Sequence, residues 1–118
     1  MRVKAYITLR DIDRAAGLIE SFIDELDYSG FAANDMAISA VERQFITIGE
    51  AISRLHRIAP EVSARIPKMR EIVDFRNVLT HGYDAIDHEL VWRSANRELP
   101  ALRKRSMRFW LRWCRRQA

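Results

Sequence analysis

Six apolar residues, Ile38, Val41, Phe45, Ile48, Ile52 and Leu55, recur in alternating steps of three and four and constrain this chain more than any other feature. That spacing keeps all six on one stripe of an α-helix, whereas a strand would divide them between two faces. A stripe so long and regular needs partner helices to cover it, as in antiparallel bundles. Asn34 or Asp35 is placed to cap its start.

The remaining segments follow the same period. Ile12, Ala15, Ala16, Ile19, Phe22, Ile23 and Leu26 predict an amphipathic helix ending near Tyr28, Ser29 and Gly30. Pro60 and Pro67 bracket a turn-like segment, after which Met69, Ile72, Val73 and Leu79 mark a third helix, with Gly82 where its C-terminus would want it. Asp87 is placed to cap a fourth helix through Leu90, Val91, Trp92, Ala95 and Leu99, and Pro100 should kink or interrupt it. No alternating run of strand length appears, so the fold class expected is all-α, an antiparallel bundle of four to five helices.

A chain of 118 residues suits one compact domain, expected over residues 1–102, with a basic helical extension over 103–118. The extension carries seven of the 20 basic residues and no acid, which leaves 13 basic against 16 acidic residues in the body. All of the positive excess therefore lies at one end. Arg105, Arg108 and Arg112, with Trp110 among them, suit a surface that neutralises phosphates and stacks on unpaired bases; the plainer reading is an amphipathic helix with a solvated basic face. No apolar run approaches membrane-span length, and Arg10, Asp11, Asp13 and Arg14 interrupt any signal-peptide segment, so the cytoplasm is the expected compartment. Cys114 has no second cysteine to pair with.

Chemistry concentrates in RNVLTHGYD, residues 76–84. Arg76 supplies a permanently charged fork suited to phosphate, and His81 exchanges a proton near neutral pH. Together they could cleave RNA without metal, His81 moving a proton on the attacking or leaving oxygen and Arg76 stabilising charge on phosphorus. Five residues at 100° each set the two about 140° apart on a helix, so one face cannot present both. Either the helix ends at Gly82 and frees His81, or a second copy of the motif across a two-fold interface completes the site. An Arg and a His at this position would also stabilise a helix C-terminus with no catalytic purpose.

RNVLTHGY resembles the R-x4-H-x-Y motif of the HepT-like branch of HEPN domains, small helical ribonuclease toxins of prokaryotic toxin–antitoxin pairs. The likeness extends to ITIGEAISRL, YDAIDHELVWR and the ELPAL segment near residue 100, and covers the chain from Tyr6 to about Arg103. It implies a HEPN bundle that dimerises, with the two motifs lining a shared cleft. By position, Arg76 and His81 become the catalytic pair and Asn77 an orienting or substrate-contacting group. Tyr83 matches the tyrosine that a partner nucleotidyltransferase antitoxin modifies with AMP, an anionic adduct that would repel RNA. Glu50, in IGEA, matches a recurrent family glutamate that would orient Arg76 or His81; its offset from the seam also suits an exposed helix residue. The chain departs from the family where IPKMREI replaces a segment that often carries a tryptophan, and its last residues are more basic than the family requires.

No metal or cofactor is expected. His56 and His88 lack ligand spacing and read as solvated, and Trp92 reads as core or dimer interface. The leading expectation is thus a metal-independent endoribonuclease toxin, dimeric, acting on RNA and silenced by a nucleotidyltransferase antitoxin that adds AMP to Tyr83. The alternative is a non-catalytic helical module that docks or presents substrate to that nucleotidyltransferase, and a third reading is a structural bundle whose basic end tethers it to nucleic acid.

Overall fold

The structure, a computed structural model, describes residues 2–66, 68–81 and 87–117. Every regular element among them is helical, as the periodicity requires. Gly82 and Tyr83 lie outside the described residues.

The first helix, α1 (Arg2–Ile23), extends the predicted stripe backwards through Ala5 and Leu9, both buried. It stops before Leu26. Asp27 then accepts a hydrogen bond from the Gly30 amide at 2.7 Å and starts a separate short helix, α2 (Tyr28–Ala32), where the spacing alone had suggested only a helix end. Its Phe31 is fully buried, worth ~2–3 kcal/mol of apolar burial. Asn34, rather than Asp35, caps α3 (Asp35–Ile58), its Oδ1 accepting from the Ala37 amide at 3.0 Å.

All six seam residues of α3 are buried. This helix is the centre of the bundle, with α1 packed along one flank and α5 (Met69–His81) along another. The segment after Pro60 is a single helical turn, α4 (Pro60–Ser63), with proline in the first turn where its missing N–H is harmless. His56 is not simply solvated as expected: its Nδ1 lies 2.9 Å from the buried Ser63 hydroxyl, which itself donates to the Pro60 carbonyl. The contact ties the end of α3 to α4.

From His88 to Gln117 the chain is helical without a break. Asp87 caps α6 (His88–Arg93) through the Glu89 amide at 2.9 Å. Of the kink or interruption expected at Pro100, the interruption does not occur. A π turn, Ser94–Glu98, precedes it, with the Leu99 amide bonded to the Ser94 carbonyl, and α7 (Leu99–Leu102) carries the proline in its first turn. The wider turn rearranges the hydrogen bonds that proline would otherwise break. A second π turn, Arg103–Met107, leads into α8 (Arg108–Gln117), which packs on α1. Trp92 packs against Phe31, ring centres 5.2 Å apart, and Tyr28 at 6.2 Å, so it belongs to the core around α2.

Candidate active site at the end of α5

α5 approaches α3 closely because of one residue, Gly49. An alanine there would place its Cβ 2.7 Å from Arg76 Cγ and nearer still to Arg76 Cβ, atoms too close to the backbone to swing aside. The Phe45 and Phe75 rings meet edge-on at 5.1 Å and hold the same helix pair in register.

The result is a defined guanidinium. Arg76 donates from Nη1 to Asn77 Oδ1 at 2.8 Å and from Nη2 to Glu50 Oε1 at 3.2 Å. Its side chain is 28% exposed, so part of the fork reaches solvent while Nε is buried with no hydrogen-bond partner among the described residues. A guanidinium has five N–H donors. Two are used by protein here, which leaves Nη hydrogens for an anion. Thr80 donates to the Arg76 carbonyl at 2.8 Å and closes the backbone beneath it.

His81 is the last residue of α5 and is exposed. Because the helix remains regular through it, the divergence of about 140° from Arg76 persists. The fold brings Arg76, Asn77 and Glu50 together and leaves His81 on another face of the same helix end, without a hydrogen bond to any described residue. A groove of about 790 Å³ runs beside this helix, lined by Phe45, Ile72, Phe75 and Val78 from one side and Leu90 and Leu99 from the other. Val78 and Leu90 are 47% and 39% exposed in it.

Spacing did not single out Gly49 or Glu42. Gly49 stands inside IGEA, a small residue on the flank of an otherwise large apolar stripe, which is the signal for a close helix approach. Glu42 lies seven residues earlier, two turns away on the same flank. Burial pushes its carboxyl above the ordinary glutamate value, against a smaller lowering by His88.

The basic end divides into two kinds of residue. Arg103, counted above with the other cations, donates from Nε to Asp13 at 2.8 Å and from Nη1 to Glu20 at 2.9 Å. The Asp13 hydrogen bond, ahead of the opposing effect of burial, holds its pKa above the usual arginine value. Arg108 and Arg112 are exposed on α8, whereas Trp110 is half-buried against the core and meets Trp113 edge-on at 5.1 Å. The side chain of Arg105 lies outside the described residues. Among the described residues no helix is long and apolar enough to cross a membrane, and no cluster of metal-ligating side chains occurs.

The family model for the HepT-like ribonucleases matches residues 12–109. Among curated relatives, a protein of Methanocaldococcus jannaschii provisionally named an RNase is 34% identical over 102 residues, covering 86% of this chain and 91% of the relative. A second from the same organism, also provisionally named an RNase, is 32% identical, covering 86% of this chain and 85% of its own. A protein of Thermococcus cleftensis, provisionally named ribonuclease HepT, is 30% identical over 95 residues, covering 80% and 86% of the two chains. No solved structure matches the chain significantly. With a motif-bearing helix docked on a central seam helix and a match that spans most of the sequence, the chain belongs to the HepT-like ribonuclease family.

Proposed function

We propose that the protein is a metal-independent endoribonuclease toxin that works as a dimer and is neutralised by a nucleotidyltransferase antitoxin. The supporting observation is the Arg76 guanidinium, steadied by Glu50 and Asn77 yet partly open to solvent, at the helix end that also carries His81. In the reaction the RNA 2′-oxygen attacks phosphorus, the bond to the 5′-oxygen breaks, and protons leave the first oxygen and reach the second. His81 moves one of these protons, and Arg76 stabilises the charge gathering on the non-bridging oxygens.

A single helix does not face Arg76 and His81 the same way, so the site is completed by a second copy of α5. The groove beside α5, with Val78 and Leu90 exposed along it, is the apolar surface suited to that association. Tyr83, two residues beyond His81, is the acceptor for AMP from the partner enzyme; the anionic adduct repels RNA from the cleft.

Growth and cleavage test this reading. Wild-type protein expressed without a partner should arrest growth and cleave RNA in the presence of chelator, and His81→Ala should do neither. Equal harmlessness of the two would favour the alternative, a non-catalytic module that docks a nucleotidyltransferase, or presents substrate to it, through residues 76–83. Intact-mass analysis after co-expression with a cognate nucleotidyltransferase should show added AMP, absent in Tyr83→Phe.

A further inference from the structure

The cations of α8 and of the turn before it have an order that composition does not reveal. Lys104, Arg108, Arg112 and Arg116 recur every four residues, a rise of ~6 Å each, and Arg115 flanks them on the side facing α1. Arg108, Arg112, Arg115 and Arg116 are all exposed, and none is in an ion pair with a described residue.

α1 completes the surface. Arg115 donates to the Tyr6 hydroxyl at 3.3 Å, and the Arg10 guanidinium lies 5.9 Å from the centre of the same ring, so Tyr6 joins the two helices between two cations. Arg14, one turn beyond Arg10, is also exposed. The acids of α1 that would cancel these charges are engaged elsewhere: Asp13 and Glu20 by Arg103, and Asp11, at 3.6 Å, by Arg54 of α3. The Arg103 contacts also fix how α8 lies along α1.

We propose that Arg108, Arg112, Arg115 and Arg116 of α8 and Arg10 and Arg14 of α1 form one ridge that holds single-stranded RNA by its phosphates, on a different flank of α3 from Arg76. The choice of RNA as the polyanion rests on the ribonuclease reading. The mode of binding rests on the packing. Trp110 and Trp113 are half-buried against the core and against each other, so the ridge offers guanidinium groups to a backbone in place of indole faces to bases. This differs from the base-stacking surface that the interleaved aromatics suggested. Such a surface grips a strand without reading its sequence and keeps a long substrate near the cleft between encounters.

The experiment measures anisotropy of a labelled oligouridylate and a labelled oligoadenylate of equal length on full-length His81→Ala protein between 50 and 200 mM salt. Binding is then read without cleavage, so a failure of the ridge and a failure of the ribonuclease reading give separate results. The combined substitution R10Q, R112Q and R115Q should lower affinity at least about tenfold and reduce the salt slope by about 2, since each phosphate contact on a single strand contributes about 0.7. The control R57Q, R65Q and K68Q removes three exposed cations elsewhere. It should cost less than about threefold, and the two oligonucleotides should bind within about threefold of each other. Equal losses in the two triple variants would overturn the ridge by reducing it to net charge. An unchanged slope in the first, or strong preference for adenylate with quenched tryptophan emission, would overturn it as well.

Discussion

Two arginines of this protein are exposed to nearly the same degree, Arg76 at 28% and Arg103 at 26%, and both lie across a glycine of a neighbouring helix. Their partners differ. Arg103 places Nε and Nη1 on two carboxylates at 2.8 and 2.9 Å, the short charge-assisted geometry of a structural clamp. Arg76 has one carboxylate at 3.2 Å and an amide oxygen, and its buried Nε has no partner among the described residues. A guanidinium spent on its own protein holds helices together, and one left partly unspent can serve an anion from outside.

The largest effects should separate the two by kind. Arg76→Gln is expected to lower RNA cleavage at least about 100-fold, with thermal stability within about 0.5 kcal/mol of wild type, because what is lost is a long, half-exposed ion pair with Glu50 and an exposed hydrogen bond to Asn77. Arg103→Gln should leave cleavage of a short RNA nearly intact while costing about 1–2 kcal/mol, read as a lowered Tm. If Arg76→Gln unfolded the protein and Arg103→Gln did not, the roles assigned here would be reversed.

The glycines sharpen the same contrast. Gly49→Ala drives a methyl into Arg76 Cβ and Cγ, which follow the α5 backbone, so the helices must separate; the expected cost is about 2–3 kcal/mol. Gly17→Ala meets the end of the Arg103 guanidinium, Nη2 at 3.0 Å and Cζ and Nη1 at 3.3 Å. The tightest contact falls on the one nitrogen of Arg103 not bonded to Asp13 or Glu20, the group stands at the end of a flexible side chain that can give by a few tenths of an ångström, and alanine is the better helix former. Gly17→Ala should therefore be neutral or stabilising by up to about 0.5 kcal/mol. Equal destabilisation by both alanines in a thermal melt would show that Gly49 has no special place in docking α5.

These outcomes depend on features that the sequence displays unequally. The seam from Ile38 to Leu55 and the caps at Asn34 and Asp87 act within a few residues of themselves, so periodicity and side-chain chemistry reveal them. Arg103 meets Asp13 and Glu20 across 90 and 83 residues, and no local pattern distinguishes it from the other cations after residue 102. The π turn before Pro100 was likewise hidden, since a proline signals a lost hydrogen bond but not how the neighbouring turn adjusts. At the motif, spacing revealed the divergence of Arg76 and His81. It could not show that Gly49 lets Arg76 lie against α3 beside Glu50, which depends on packing between helices.

The smallest expected effect concerns Glu42, two turns from Gly49 on the flank of α3 that faces α5. Burial raises its carboxyl pKa, and the opposing attraction of His88 is the weaker influence. A carboxyl whose folded pKa exceeds its unfolded value binds its proton more tightly when folded. Its contribution to stability is fully present below the unfolded value, near 4.5, and is lost as pH rises through the higher folded value. At pH 7 the ionised carboxylate is therefore a net cost of folding. Glu42→Gln, which keeps the shape and removes the charge, should raise Tm at pH 7 by ~1–2 °C, the site being open enough for solvent to screen most of the effect. Below about pH 4 both proteins carry a neutral side chain at this position, and the gain should vanish. A drop in Tm at pH 7 would mean instead that the carboxylate is held by His88 more strongly than burial disfavours it, and Glu42 would then resemble Asp13 and Glu20, acids that the fold pairs with a cation.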